Sequence, residues 1–160
     1  MIYYIFKEQI FTIFLSIAHL SAVTFPDKVH DYVGGTKEDF QIYELNKKKS
    51  LVYEPKNKSI DRNFIVFLQD AKYHYNLKYS DELSNKDIVI KAAKKCSLFS
   101  LIKETASYKL FECHKSIFFV NKRKSKVKVN EEVVEEKKFL SKGPPIFLNG
   151  ELIYYRGRAI

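Results

Sequence analysis

Tyr73, Tyr75, Leu77 and Tyr79 alternate with His74, Asn76 and Lys78, a period of two that sends every large apolar group to one side of an extended strand. Just before them, across Gln69-Asp70-Ala71-Lys72, lies Asn63-Phe64-Ile65-Val66-Phe67-Leu68. That run is apolar throughout and predicts a central strand covered on both faces, joined to its alternating neighbour as a hairpin. A hairpin alone is marginal in water, so this pair obliges the chain to supply more strands.

The rest of the sequence offers them. Phe40-Gln41-Ile42-Tyr43-Glu44-Leu45 and Leu51-Val52-Tyr53-Glu54 flank the charged turn Asn46-Lys47-Lys48-Lys49, which reads as a second hairpin ending at Pro55. Phe25-Pro26-Asp27 and Val33-Gly34-Gly35-Thr36 are breaks, the first because proline ends ladder pairing and the second because glycine supplies positive φ. Tyr108–Glu112, Ser116–Val120 and the pair Ile146–Leu148 and Glu151–Tyr155 around Asn149-Gly150 add further strands. Asn-Gly between apolar runs is a strong short-range hairpin signal. Val127-Lys128-Val129 reads as an exposed edge strand whose lysine discourages unwanted pairing.

One segment departs from the β pattern. Ser84-Asn85-Lys86-Asp87 has the composition of a helix N-cap, followed by Ile88, Ala92, Cys96 and Phe99 at helical spacing, and predicts a helix over about residues 85–105. The fold expected is therefore mainly β. It has an antiparallel β-sandwich over residues 9–80, then a helix with short hairpins over 81–160, as an extension or a second small lobe.

Residues 9–25, QIFTIFLSIAHLSAVTF, resemble the apolar core of a secretion signal. However, Glu8 and Gln9 stand where a basic region belongs. Phe11, Ile13, Leu15 and Ile17 alternate with Thr12 and Ser16, and the run is shorter than the roughly 20 residues of a spanning helix. The alternation favours two retained strands with a break near Ala18 and His19.

Twenty-eight Lys and Arg against 19 Asp and Glu give a formal charge of +9, which admits nucleic acid, an anionic surface or an acidic protein as partner. Only Arg62, Arg123, Arg156 and Arg158 are arginines. A lysine-dominated excess lacks the bidentate forks that read phosphate and guanine. The densest basic run, Lys122, Arg123, Lys124 and Lys126, follows Phe118 and Phe119, the ingredients of a single-strand groove with stacking rings; more often such a run is a solvated turn.

No catalytic constellation emerges. His19, His30, His74 and His114 form no HxH or HxxxH pair for a metal. Cys113 and His114 are adjacent and point to opposite faces of a strand, which separates them as nucleophile and base. Gly34-Gly35 has no phosphate-loop continuation. Glu131–Glu136, beside a lysine run, reads as a charge-paired segment rather than an acid–base pair. No cofactor and no small-molecule substrate are expected. Cys96 and Cys113 are either a disulfide, in an oxidising compartment, or two free thiols.

Taken in order, QIFTIFLSIAHLSAVTFPDKV with its Phe25-Pro26 step, the Gly34-Gly35 turn, LVYEPKN, and the closing hairpin NFIVFLQDAKYHYNLKY resemble the N-terminal β-domain of the outer-membrane core-complex subunit of type IV secretion and conjugation systems, the TrbG-like group. The resemblance covers about residues 9–79. It implies a structural subunit in the periplasm, associated with the outer membrane, that packs with sibling subunits in a homo-oligomeric ring and with a pore-forming partner. Lys47, Lys48, Lys49, Lys122, Arg123, Lys124 and Lys126 are then the candidate interface. Binding of nucleic acid by residues 122–128 is the alternative.

Overall fold

The computed structural model describes all 160 residues. It is all-β and contains no helix. The chain opens on β1 (Ile2–Ile5) and divides into two compact units, one of Met1–Ile2 with Ile10–Lys91, the other of Tyr3–Gln9 with Ala92–Ile160.

The first unit holds β2 (Phe11–Leu15), β3 (Ser21–Thr24), β4 (Val29–Gly34), β5 (Phe40–Leu45), β6 (Ser50–Pro55), β7 (Asp61–Leu68), β8 (Lys72–Tyr79) and β9 (Asp87–Ala92), whose last residue passes into the second unit. Its strands run in the orders β2-β8-β7-β4 and β9-β3-β6-β5. The two hairpins read from sequence, β5–β6 and β7–β8, are both present and antiparallel. The sheets as wholes are mixed rather than antiparallel, because β2 lies parallel to β8 and β3 parallel to β9. Neither parallel pair has a local signal, since each joins segments more than sixty residues apart.

Aromatic rings from the two sheets meet in one core. Tyr53 on β6 lies 5.5 Å from Phe64 on β7, edge to face, and Phe64 lies 5.5 Å from Tyr75 on β8. The Tyr53 and Tyr75 hydroxyls, both on fully buried side chains, are 2.6 Å apart. Burial raises both phenol pKa values, so each group stays neutral and can donate or accept. Strand β7 buries Phe64, Val66 and Leu68 on this side, while Phe67 on the other is 36% exposed. It is central in its sheet but covered on one face only, which corrects the two-sided reading. Gly34 and Gly35 have φ of +144° and +67°, and a Cβ on Gly35 would run into the Phe40 ring. Glycine is required at that turn because of both backbone and packing.

The second unit holds β10 (Ser100–Glu104), β11 (Tyr108–Cys113), β12 (Ser116–Asn121), β13 (Val127–Val129), β14 (Glu132–Val134), β15 (Lys137–Leu140), β16 (Ile146–Leu148), β17 (Glu151–Tyr155) and β18 (Arg158–Ala159). They form two antiparallel sheets, β10-β11-β12-β15 and β14-β13-β16-β17-β18. Leu110, Ile117 and Phe119 from the first share a core with Val129, Ile146 and Tyr154 from the second. Asn149-Gly150 turns β16 into β17 with positive φ at both residues, and Arg156-Gly157 repeats the device between β17 and β18. Strand β13 is not the exposed edge its lysine suggested: β14 and β16 pair on either side, and Val127 and Val129 are buried. Tyr3–Gln9 belongs here, with Tyr4 and Lys142 exchanging both backbone hydrogen bonds and the Gln9 amide donating to the Phe139 carbonyl at 2.7 Å.

The predicted helix over 85–105 is absent. Ile88 and Ile90 are buried while Val89 between them is only half-buried, a period of two, and Val23 of β3 stands opposite Ile88. Ser84 does not cap a helix, because its hydroxyl is engaged with His19 and with the Asp81 carbonyl. Strand pairing and the covalent tie of Cys96 to Cys113 override the helical spacing.

The tyrosine pair yields a directional test. Tyr75→Phe leaves the buried Tyr53 hydroxyl without its partner and is expected to cost about 1–3 kcal/mol. The double variant Tyr53→Phe with Tyr75→Phe is expected to recover part of that loss in urea unfolding. Strictly additive costs would contradict the coupling.

Candidate functional site

The residues singled out by sequence fall in three places. Lys47, Lys48 and Lys49 lie in the four-residue loop between β5 and β6, closed by Leu45 opposite Ser50. Asn46, Lys47 and Lys48 all have left-handed φ, of 54°, 52° and 67°. That path aims two carbonyls inward, where Lys48 accepts from the Val29 amide and Lys49 from the Phe25 amide, each at 2.8 Å. The Lys47 and Lys48 side chains are exposed, and that of Lys49 is half-buried. Lys48 approaches Glu44 at 3.9 Å with both groups well exposed, a contact worth little in water.

Lys122, Arg123, Lys124 and Lys126 occupy the turn after β12. Asn121, itself buried, shapes that turn by donating to the carbonyls of Ser125 at 2.9 Å and Glu135 at 2.8 Å and accepting from the Arg123 amide. Lys122 reaches Glu104 at 2.9 Å and the Thr105 carbonyl at 2.8 Å. Arg123 donates to Ser107 at 2.9 Å, and Lys126 pairs with Glu135. Hydrogen bonds from Lys122 and then Lys109 hold the Glu104 carboxyl below its ordinary range. Lys124 alone of the four has no partner of this kind. The run is thus largely engaged by its own unit. Phe119 is buried in the core, while Phe118 packs against Phe99 and Phe139 at 4.9 and 4.8 Å.

Cys96 and Cys113 are joined by a disulfide across a sequence separation of 17, their Cα atoms 6.5 Å apart. The Ser116 hydroxyl braces the link, lying 2.9 Å from the Cys113 sulfur and donating to the Lys94 carbonyl at 2.8 Å. Cys113 is therefore not available as a nucleophile beside His114.

Two side-chain clusters were invisible in the sequence. Asp39, with a side chain 6% exposed, accepts from Arg62 at 2.8 Å and from the Thr36 amide and hydroxyl at 3.2 and 3.1 Å. Burial pushes its carboxyl up, but the Arg62 and Thr36 contacts outweigh that, and the net pKa is lowered. Its partner lies 23 residues away with no motif between them.

The second cluster brings His19 Nε2 within 3.0 Å of the Ser84 hydroxyl, while Ser16 and Tyr79 bind Asp81. The residue types are those of a hydrolytic triad, but the roles are not. The second His19 nitrogen faces the Leu20 carbonyl rather than Asp81, and Ser84 is 6% exposed. The cluster clasps the turn after β8 to the turn between β2 and β3. No group of three or more His, Cys, Asp or Glu side chains is placed to hold a metal ion.

No protein-family model matches the chain, and no curated protein matches its sequence.

Two stability measurements follow from these sites. Because the Asp39 carboxyl is lowered on folding, its contribution is present above the unfolded value of about 3.9 and is lost as pH falls through the folded value. Asp39→Asn should cost about 1–3 kcal/mol near neutrality, and the gap from the unaltered chain should close on acidification in urea titrations. Reducing Cys96–Cys113 removes the constraint on a loop of this size and is expected to cost about 3 kcal/mol, read as a lower urea midpoint with reductant present.

Proposed function

We propose that this protein is a structural, non-enzymatic subunit of an envelope-spanning secretion or pilus-like machine, working in the periplasm beside the outer membrane with sibling subunits and a pore-forming partner. The observation that carries this reading is that the stretch resembling the TrbG-like β-domain, residues 9–79, falls almost wholly within one compact unit, Ile10–Lys91. The two sheets of that unit share a core of Tyr53, Phe64 and Tyr75, which we read as a β-sandwich. A disulfide braced by Ser116 suits an oxidising compartment. Assembly of this kind needs surfaces rather than a reactive centre: open strand edges supply backbone pairing, and exposed lysine loops supply charge complementarity.

Nucleic-acid binding by residues 122–128 is the weaker reading. Glu104 and Glu135 already sit against Lys122 and Lys126, and any phosphate would have to displace them.

Gentle detergent extraction of the source cells, size fractionation and identification of co-migrating chains tests the proposal. The protein should run in a large envelope complex with other secretion subunits. Replacing Lys122, Arg123, Lys124 and Lys126 by Gln should leave that complex intact. Migration as a small species, or retention on nucleic acid that the Gln variant loses, would sink the assembly reading.

A further inference from the structure

Single apolar side chains at a protein surface need no explanation, but in the second unit of this chain several gather. Residues 93–99 join β9 to β10, and Leu98 within them is 87% exposed, the most exposed large apolar side chain of the protein. Phe99 beside it and Leu101 on β10 are 38% and 50% exposed. The loop is fixed at four points. The Ala93 amide donates to the Ile5 carbonyl at 3.0 Å, and the Lys94 carbonyl accepts from Ser116 at 2.8 Å. Cys96 is tied to Cys113, and Phe99 stacks on Phe118 at 4.9 Å. Leu98 thus stands out from a held base.

That base is a row of side chains across one sheet. Leu101, Phe111, Phe118 and Phe139 stand opposite one another on β10, β11, β12 and β15, on the face turned away from the core that Leu110, Ile117 and Phe119 fill. Clefts lie on both sides of Phe99. One borders Phe118 and Phe139 with Lys95, Lys137, Lys138 and Glu8, and the other places Glu112, His114 and Lys142 beside Leu98. Lys138 pairs with Glu132 and Lys142 with Glu112. Lys94, Lys95, Lys115 and Lys137 have no carboxylate partner, against one unpaired carboxylate at Glu8. Lys95 lies over the Phe139 ring instead, 6.0 Å from its centroid. An apolar tip is therefore set among cations that the fold leaves unmet.

We propose that the 93–99 loop docks on an anionic lipid surface, Leu98 and Phe99 entering the boundary between headgroups and acyl chains while Lys94, Lys95, Lys115 and Lys137 meet headgroup phosphates. A bilayer accepts a protruding apolar tip without a matching pocket, and it couples that burial to attraction between lysines and anionic headgroups. Phosphates reach these four lysines without displacing a carboxylate, unlike Lys122 and Lys126, which Glu104 and Glu135 already occupy. A single-stranded nucleic acid would need free ring faces for its bases. Phe118 is taken up by Phe99 and Phe139, at 4.9 and 4.8 Å, and Leu98 and Leu101 have no ring to offer. The proposal stands apart from the secretion reading, since it requires only this chain and a charged bilayer.

Flotation of the full, disulfide-bonded chain with phosphatidylcholine vesicles, with and without phosphatidylglycerol, is the test. The chain should float with the anionic vesicles and not with phosphatidylcholine alone, and rising salt should weaken the association. Leu98→Ser should weaken it about tenfold or more, and Lys94→Gln with Lys95→Gln about tenfold. Val133→Ser is the control: that side chain is 67% exposed but lies beside Glu135 and Glu136, and its loss should change nothing. The chain contains no tryptophan, so Leu98→Trp supplies a single reporter whose emission should move to the blue on anionic vesicles, whereas Val133→Trp should not. All these sites are exposed, so folding is not at issue. Absence of flotation, or flotation indifferent to phosphatidylglycerol, overturns the proposal. Flotation that survives Leu98→Ser with no shift from Leu98→Trp does so as well, because net charge alone then holds the chain. Retention on a single-stranded oligonucleotide, or a dimer that Leu98→Ser dissolves, would, in the absence of vesicle binding, assign the tip to another occupant and equally overturn it.

Discussion

Two phenol hydroxyls enclosed in the core leave the first unit little choice. Tyr53 and Tyr75 sit on different sheets, both fully enclosed, and each hydroxyl is the other's partner at 2.6 Å. An unpaired hydroxyl in that position costs more than the bond itself returns, so the sheets must meet in the register that brings these two residues together. Phe64 fills the space between them, and Phe40 closes edge-on against Tyr53 at 5.6 Å. The position of Phe40 in turn requires a glycine at 35, where any side chain would strike its ring. The glycine at 35 is thus a consequence of the aromatic core.

What could be read in the sequence was local. Hairpins β5–β6, β7–β8 and β16–β17 announce themselves because the turn chemistry and both alternating arms lie within about twenty residues. The parallel pairs β2–β8 and β3–β9 leave no such trace, since nothing in Phe11–Leu15 names Tyr75–Tyr79 as its neighbour. The helix expected over 85–105 failed for a related reason. Ile88, Ala92, Cys96 and Phe99 do fall at helical spacing, but Ile88 and Ile90 fit the strand period equally well, and short apolar runs are ambiguous until a partner strand decides. Here β3 decides for the first half of the segment, and the disulfide to Cys113 ties down Cys96 in the second.

The candidate site was legible as positions and not as environments. The lysine runs are plain in the sequence, but whether a lysine is free depends on carboxylates far along the chain. Glu104 lies 18 residues from Lys122, and the two are joined only because β10 and β12 both border β11. Asp39 and Arg62 read separately as ordinary surface charges. Only the fold shows that Asp39 is enclosed and must be paired.

The loop at Asn46–Lys49 poses a question that packing alone does not answer. Three consecutive residues in left-handed conformation are costly for anything but glycine, on the order of 1 kcal/mol for each lysine. The backbone path is needed, since the carbonyls of Lys48 and Lys49 anchor the amides of Val29 and Phe25, but glycine or asparagine would trace it with less strain. The Lys47 and Lys48 side chains add nothing to the inside of the fold, because both are exposed. Strain retained where a cheaper residue would serve argues that the side chains are wanted outside. The turn 122–126 shows the contrary solution within the same chain, a basic run whose geometry is set by Asn121 and whose charges are largely met by its own unit. Of the two lysine clusters, the one on the strained backbone is therefore the one whose charges its own unit leaves largely unmet.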